Sequence, residues 1–265
     1  MPRGRVERTL THHWDGTALE RRPDELIVEE PLEVHLDGVL VATTMRTPGH
    51  DFELAAGLCF TDGLLAGAPV RTCRYCGTGS AVESEFNAVS VDTGGAAPTP
   101  RPRLTATTSA CGICGSTAID ELRERLHALP PTEPFRLEVL SAVPDRIVAE
   151  QELFALTGAV HAAAAFDRDG QPVVVREDIG RHNAVDKVVG RLLLDDALPG
   201  AALGLYVSGR ASFEIVQKAW AAGFPAVVAV SAPSSMAVAA ARLSGMTLCG
   251  FTRGATMSVY AGVAE

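Results

Sequence analysis

Hydrophobic and polar positions change rhythm about halfway along the chain. Leu32-Glu33-Val34-His35-Leu36 and Val39-Leu40-Val41-Ala42-Thr43 alternate around Asp37-Gly38. Two such runs about an Asp-Gly pair predict a β-hairpin. Asp51 is placed to cap a helix through Phe52, Leu54, Ala55 and Leu58 that stops near Asp62-Gly63. Strand-like runs follow at Val70–Tyr75 and Phe86–Val91, then a Pro/Gly-rich connector from Gly94 to Arg103. Helices are expected near 116–129 and over Asp145–Leu156. From there the pattern becomes strand–helix alternation: strands at Val173–Val175, Leu203–Val207, Ala226–Val230 and Thr247–Phe251, with helices at His182–Leu194, Ser212–Ala222 and Ser235–Leu243. Such alternation predicts a largely parallel sheet covered by helices. The fold class is therefore α/β (α+β overall), with a β-rich N-terminal part. Residues 1–25, polar and carrying His12-His13 and Arg21-Arg22, read as a loosely held arm. Residues 26–130 form the β-rich region and 131–265 the α/β region.

The balance of 23 Lys and Arg against 32 Asp and Glu gives a net charge of −9. General attraction to nucleic acid or to an anionic membrane is not expected. No stretch approaches the ~20 apolar residues of a membrane span, and no apolar run follows the N-terminal arginines, so no signal peptide is read. The expected compartment is the cytoplasm, where the six cysteines stay reduced.

Chemistry gathers in two places. Cys111-Gly112-Ile113-Cys114-Gly115 sets two thiols three residues apart in a glycine-rich loop. Ser116 would start a helix just beyond it, and a helix N-terminus lowers a thiol pKa. Alone, this pair fits a reactive dithiol and a structural one equally. The second place is the set of strand-to-helix junctions, because ligands of open α/β sheets lie beyond the carboxyl ends of the strands. These junctions are Arg176–Asn183, Ser208-Gly209-Arg210-Ala211-Ser212, Ser231-Ala232-Pro233-Ser234-Ser235 and Thr252-Arg253-Gly254-Ala255-Thr256. Hydroxyls, helix N-termini and arginines suit phosphate, so four such junctions on one edge favour a phosphate-bearing nucleotide ligand.

Ala110-Cys111-Gly112-Ile113-Cys114-Gly115, Thr157–Ala164, Glu177–Lys187 and Ser208–Lys218 occur together and in this order. The combination closely resembles the FdhD family, the sulfur carriers needed to mature formate dehydrogenase, from about residue 26 to the C-terminus. The resemblance implies a cytidine-deaminase-like fold for the α/β sheet and a homodimer. It implies sulfurtransferase activity in which a cysteine desulfurase loads sulfur on Cys111 as a persulfide, with Cys114 as its partner. The sulfur would pass to the molybdenum of bis(molybdopterin guanine dinucleotide) before that cofactor enters the formate dehydrogenase catalytic subunit. Phe251, Thr252, Arg253, Gly254, Ala255 and Thr256 align with the family's cofactor segment. Ser208, Arg210, Arg181, His182, Asn183 and Ser231 complete the expected cofactor contacts, and no resident metal is expected. Deaminase chemistry does not follow, since His161-Ala162-Ala163 lacks the glutamate of a zinc deaminase. Two rivals stand beside this reading. Cys73, Cys76, Cys111 and Cys114 would make a four-thiolate zinc site in a nucleotide-binding protein, although the spacing exceeds the usual ~15–20 residues. A dithiol redox protein is the other.

Overall fold

The computed structural model describes residues 4–75, 85–99 and 126–262, which form three sheets and six helices. Residues expected as a loose arm instead form a hairpin, β1 (Val6–Trp14) against β2 (Leu19–Ile27), paired without a break from Val6–Ile27 to Trp14–Leu19. Its turn is closed by the Asp15 carboxylate, which accepts from Thr17 N, Thr17 Oγ1 and Ala18 N. Val6, Leu10 and Trp14 lie opposite Ile27, Pro23 and Leu19 on one face. The charged pairs between them, such as Arg8 with Glu25 at 3.0 Å, mask that alternation in the sequence.

The second sheet has the order β4–β3–β6–β5, with β3 (Glu30–Leu36), β4 (Val39–Arg46), β5 (Thr72–Tyr75) and β6 (Ala88–Asp92). The Asp37-Gly38 hairpin forms as expected, both residues having positive φ, 46° and 83°. Helix α1 (Asp51–Thr61) covers one face, burying Leu54, Ala55 and Cys59 against Leu32, Val34, Val89 and Val91. Asp51 does not cap it. His50 occupies the cap in the left-handed region, and the Asp51 carboxylate is drawn to Arg46 (3.1 Å to both Nε and Nη2) and to the Tyr75 hydroxyl (3.1 Å). A buried guanidinium is a stronger claimant than a backbone N–H.

The third sheet runs β12–β11–β10–β9–β7–β8. Its strands are β7 (His161–Phe166), β8 (Pro172–Asp178), β9 (Gly204–Val207), β10 (Ala226–Ala229), β11 (Thr247–Arg253) and β12 (Thr256–Ala261). It is mixed rather than largely parallel. Strands β9–β10 and β10–β11 pair parallel, while β7 is antiparallel to both β8 and β9, and β12 to β11. Because β7 opposes both neighbours, β8 points the same way as β9, β10 and β11, and their four carboxyl ends share one edge. Helices α4 (Arg181–Leu194), α5 (Phe213–Ala221) and α6 (Ser235–Ser244) cover one face, over Ala163, Leu205, Val207, Val227 and Leu248. On the opposite face α2 (Leu137–Val148) buries Leu140, Val143 and Ile147 against Ala164, Tyr206 and Val228. The helix expected over Asp145–Leu156 is thus two: α2 starts earlier and runs through Pro144, and α3 (Glu152–Thr157) follows separately. The Glu177 carboxylate holds the start of α3, accepting from Leu153 N and Phe154 N at 2.8 Å each. Of the helix expected near 116–129, residues 116–125 lie outside the described residues. Residues 126–129 are not helical; they are pinned by Leu129 N to Ser244 O and by Trp220 Nε1 to His127 O.

Helices α1 and α4 join the two larger sheets. They meet backbone to backbone, since a Cβ at Gly57 would overlap the Asp186 carbonyl and one at Gly190 the Glu53 carbonyl. Only glycine permits this approach.

Candidate functional site

The carboxyl edge of the third sheet is a continuous polar rim. Ser208 is fixed first: its Oγ accepts from Ala162 N and its N–H donates to Ala162 O, each at 2.9 Å. Beyond it the junctions are stitched side by side. Ser231 N donates to Gly209 O, Phe251 N to Ser231 O, and Ser234 N to Ala211 O. Gly180 and Ser212 occupy the caps of α4 and α5, and neither helix has a side-chain cap bond. Both helix starts therefore present N–H groups to whatever lies along this rim.

Four buried polar atoms on these junctions have no hydrogen-bond partner among the described residues: Arg181 Nε, His182 Nε2, Ser212 Oγ and Thr252 Oγ1. Buried polar groups are normally satisfied, so a rim with several free donors is suited to receive a ligand. Arg181 starts α4, Arg210 is exposed after β9, and His182 is held neutral, its pKa lowered to about 4 by burial and then by Arg181 and Lys218. Glu214 stands 3.9 Å from His182 Nε2 on the same side, and the two arginines are the groups suited to an anion.

The expected segment Phe251–Thr256 is the end of β11, a tight turn and the start of β12. Phe251 has φ 52° and is 53% exposed, whereas Thr252 is fully buried. Arg253, Gly254, Ala255 and Thr256 are exposed, with Thr256 Oγ1 donating to Arg253 O. Phe251 therefore offers an exposed ring on a backbone whose N–H donates to Ser231 O.

The polar residues at the start of α4 divide in two. Arg181 and His182 open α4 at the sheet's carboxyl edge, with His182 Nε2 3.9 Å from Glu214 of α5. Asn183 is buried in a brace, its Nδ2 donating to Met45 O (2.7 Å) and Asp178 Oδ1 (3.0 Å) and its Oδ1 accepting from Thr44. Lys187 lies fully buried, 2.7 Å from Asp178 and 3.0 Å from Thr47 O. Asp186 pairs with Lys218 of α5 at 2.8 and 2.9 Å. These residues tie α4 to α1, β4 and α5, and so fix where the rim's helix starts stand. Sequence reasoning placed Ser212 in the junction after β9 and read His161 as structural or pocket-lining rather than as a metal ligand.

Cys111, Cys114 and Cys76 lie outside the described residues. The three described thiols are poor nucleophiles. Burial pushes Cys73 up to about 11 and Cys249 up to about 12, and raises Cys59 further. Cys73, the described member of the four-thiolate alternative, packs beside the α1 core. A separate cavity of about 380 Å³ adjoins Arg5, His50, Arg176 and Glu177. Its Arg176 is already bonded to Glu53 at 2.5 and 2.8 Å and its Glu177 to α3, so it offers fewer free groups than the rim.

A sequence model of the FdhD/NarQ family matches residues 27–265. The sulfur carrier protein FdhD of Streptomyces avermitilis is 49% identical over 98% of this chain and 95% of its own length. That of Mycobacterium tuberculosis is 45% identical over 94% of each. In fold, a crystal structure from Desulfotalea psychrophila, described as a formate dehydrogenase accessory protein, superposes with a TM-score of 0.76 at 23% identity, covering 97% of both chains. Matched by the family model over residues 27–265 and 49% identical to a relative over 98% of its length, the chain belongs to the FdhD/NarQ family.

Proposed function

We propose that this chain is a cytoplasmic, homodimeric sulfur carrier that moves sulfur from a cysteine desulfurase to bis(molybdopterin guanine dinucleotide) bound for formate dehydrogenase. The observation that carries this reading is the Cys111/Cys114 pair in a chain 49% identical to a sulfur carrier over 98% of its length. The thiol environments agree, because the described cysteines are raised well above neutral and cannot supply a thiolate at pH 7. No helix of the described residues is long and apolar enough to cross a membrane.

In the loading step the Cys111 thiolate attacks the terminal sulfur of the desulfurase persulfide. The new S–S bond forms on Cys111, and the desulfurase thiolate leaves. In the release step the Cys114 thiolate attacks the Cys111 sulfur and expels hydrosulfide. The two cysteines are oxidised to a disulfide as the sulfane sulfur gains two electrons. A cellular dithiol reductant then restores both thiols. The cofactor is the substrate that receives sulfur, and the rim is where its nucleotide phosphates would be held: helix starts and Arg181 for charge, the Phe251 face for a base.

The test is complementation of a formate-oxidising strain that lacks its own carrier. With Cys111→Ala, formate dehydrogenase is expected to accumulate with cofactor but without activity. Full activity with that variant would overturn the assignment.

A further inference from the structure

His161 lies on the rim, although its strand runs against both of its neighbours. Strand β7 is antiparallel to β8 and β9, so its first residue stands where their last residues end. His161 is the register partner of Asp178, and the next residue, Ala162, is bonded twice to Ser208. The half-buried ring therefore sits between the start of α4 and the Gly209-Arg210 turn. Gly209 matters here. A Cβ at that position would lie 3.4 Å from His161 Nδ1 and 3.5 Å from Cε1, so glycine leaves this edge of the ring uncovered.

We propose that His161, Arg181 and Arg210 form a subsite for a phosphate-type oxyanion, in which His161 is a ligand that takes up a proton when the anion binds. This rests on the reading of the sheet edge as a nucleotide site and names the residues that would take its pyrophosphate. The free Ser212 hydroxyl and the uncapped starts of α4 and α5 supply neutral donors at the same rim. The charged groups that bear on the ring are Arg181 at the start of α4, Arg210 after β9 and Asp178 at the end of β8. Burial, then Arg181 and Arg210, lower the ring's pKa, and Asp178 only partly opposes them. The free site thus holds two guanidiniums beside a neutral imidazole. An incoming anion reverses the local field, and protonation of His161 adds a third positive donor.

The test follows the His161 Cε1–Hε1 resonance in the full chain, assigned by comparison with His161→Gln. The resonance is titrated between about pH 5 and 8, with sulfate and with chloride at matched ionic strength. Sulfate keeps a constant charge over that range. Sulfate is expected to raise the His161 midpoint by about one unit or more, the size for an opposite charge nearby. Gly209→Ala, whose methyl covers the Nδ1 edge without a collision, is expected to remove most of the shift. Calorimetry with inorganic pyrophosphate at neutral pH is expected to show about a tenfold loss of affinity in His161→Gln, as for a lost charge-assisted bond. A midpoint that sulfate leaves unmoved, or equal pyrophosphate affinity in wild type and His161→Gln, overturns the inference. Persulfide loading of Cys111 is read separately on the wild-type chain. Its failure would remove the carrier reading and leave the anion subsite standing.

Discussion

Removing the Asp186 carboxylate while Lys218 remains buried should be among the costliest single changes in the molecule. The Lys218 ammonium donates to both Asp186 oxygens at 2.8 and 2.9 Å and to Thr61 Oγ1 at 2.8 Å, with Asp62 at 3.5 Å. Thr61 Oγ1 in turn donates to Asp186 at 2.8 Å. Burial opposes the Lys218 charge, but Asp186 outweighs it and raises the ammonium pKa. In Asp186→Leu that compensation is lost, apart from the more distant Asp62. Breaking a buried pair from one side costs about 3–5 kcal/mol. With a urea m-value of about 2–3 kcal/mol per molar, a loss of about 4 kcal/mol lowers the midpoint by about 1.3–2 M. Asp186→Leu with Lys218→Met removes both charges, and replacing a buried pair by apolar groups is near neutral, so the double variant should recover most of the loss. Urea melts of the four proteins measure both effects. A single-variant loss below about 1 kcal/mol, or a double variant no better than the worse single, would refute the reasoning.

Two further outcomes follow from the same structure. Gly190→Ala places a methyl into the Glu53 carbonyl and the Gly57 backbone, so α1 and α4 must part; a loss of at least about 1–3 kcal/mol is expected, read as a lower thermal midpoint. For Glu53, burial works to raise the carboxyl, but the Arg176 and His50 interactions outweigh it and hold the pKa at about 2. The carboxylate is thus more stable folded than unfolded. Its contribution is complete above about pH 4.5 and is lost as the pH falls toward about 2, so Glu53→Gln should flatten the stability–pH slope in that window.

The sequence carried the elements of the alternating half well, because the runs at Val173–Val175, Leu203–Val207, Ala226–Val230 and Thr247–Phe251 fall on strands β8 to β11. It hid β7, because Ala162 to Ala165 offer neither β-branching nor alternation; only their place between β8 and β9 makes them a strand. It also hid the N-terminal hairpin, whose apolar residues are spaced by cross-strand charge pairs. The candidate edge was legible as an edge, since strand direction survives the insertion of β7. The roles within Arg181–Lys187 were not. Asn183, Asp186 and Lys187 look like exposed polar chemistry, and become braces because Met45 and Lys218 arrive from distant parts of the chain and Asp178 from the end of the preceding strand.

The most direct test of the central claim is a persulfide map of the purified chain after incubation with a cysteine desulfurase and free cysteine, by alkylation and mass spectrometry. The account predicts a persulfide on Cys111 that needs the desulfurase and disappears in Cys111→Ala, with Cys59, Cys73 and Cys249 unmodified. Absence of sulfur at Cys111, with zinc held jointly by the Cys73/Cys76 and Cys111/Cys114 pairs, would contradict it.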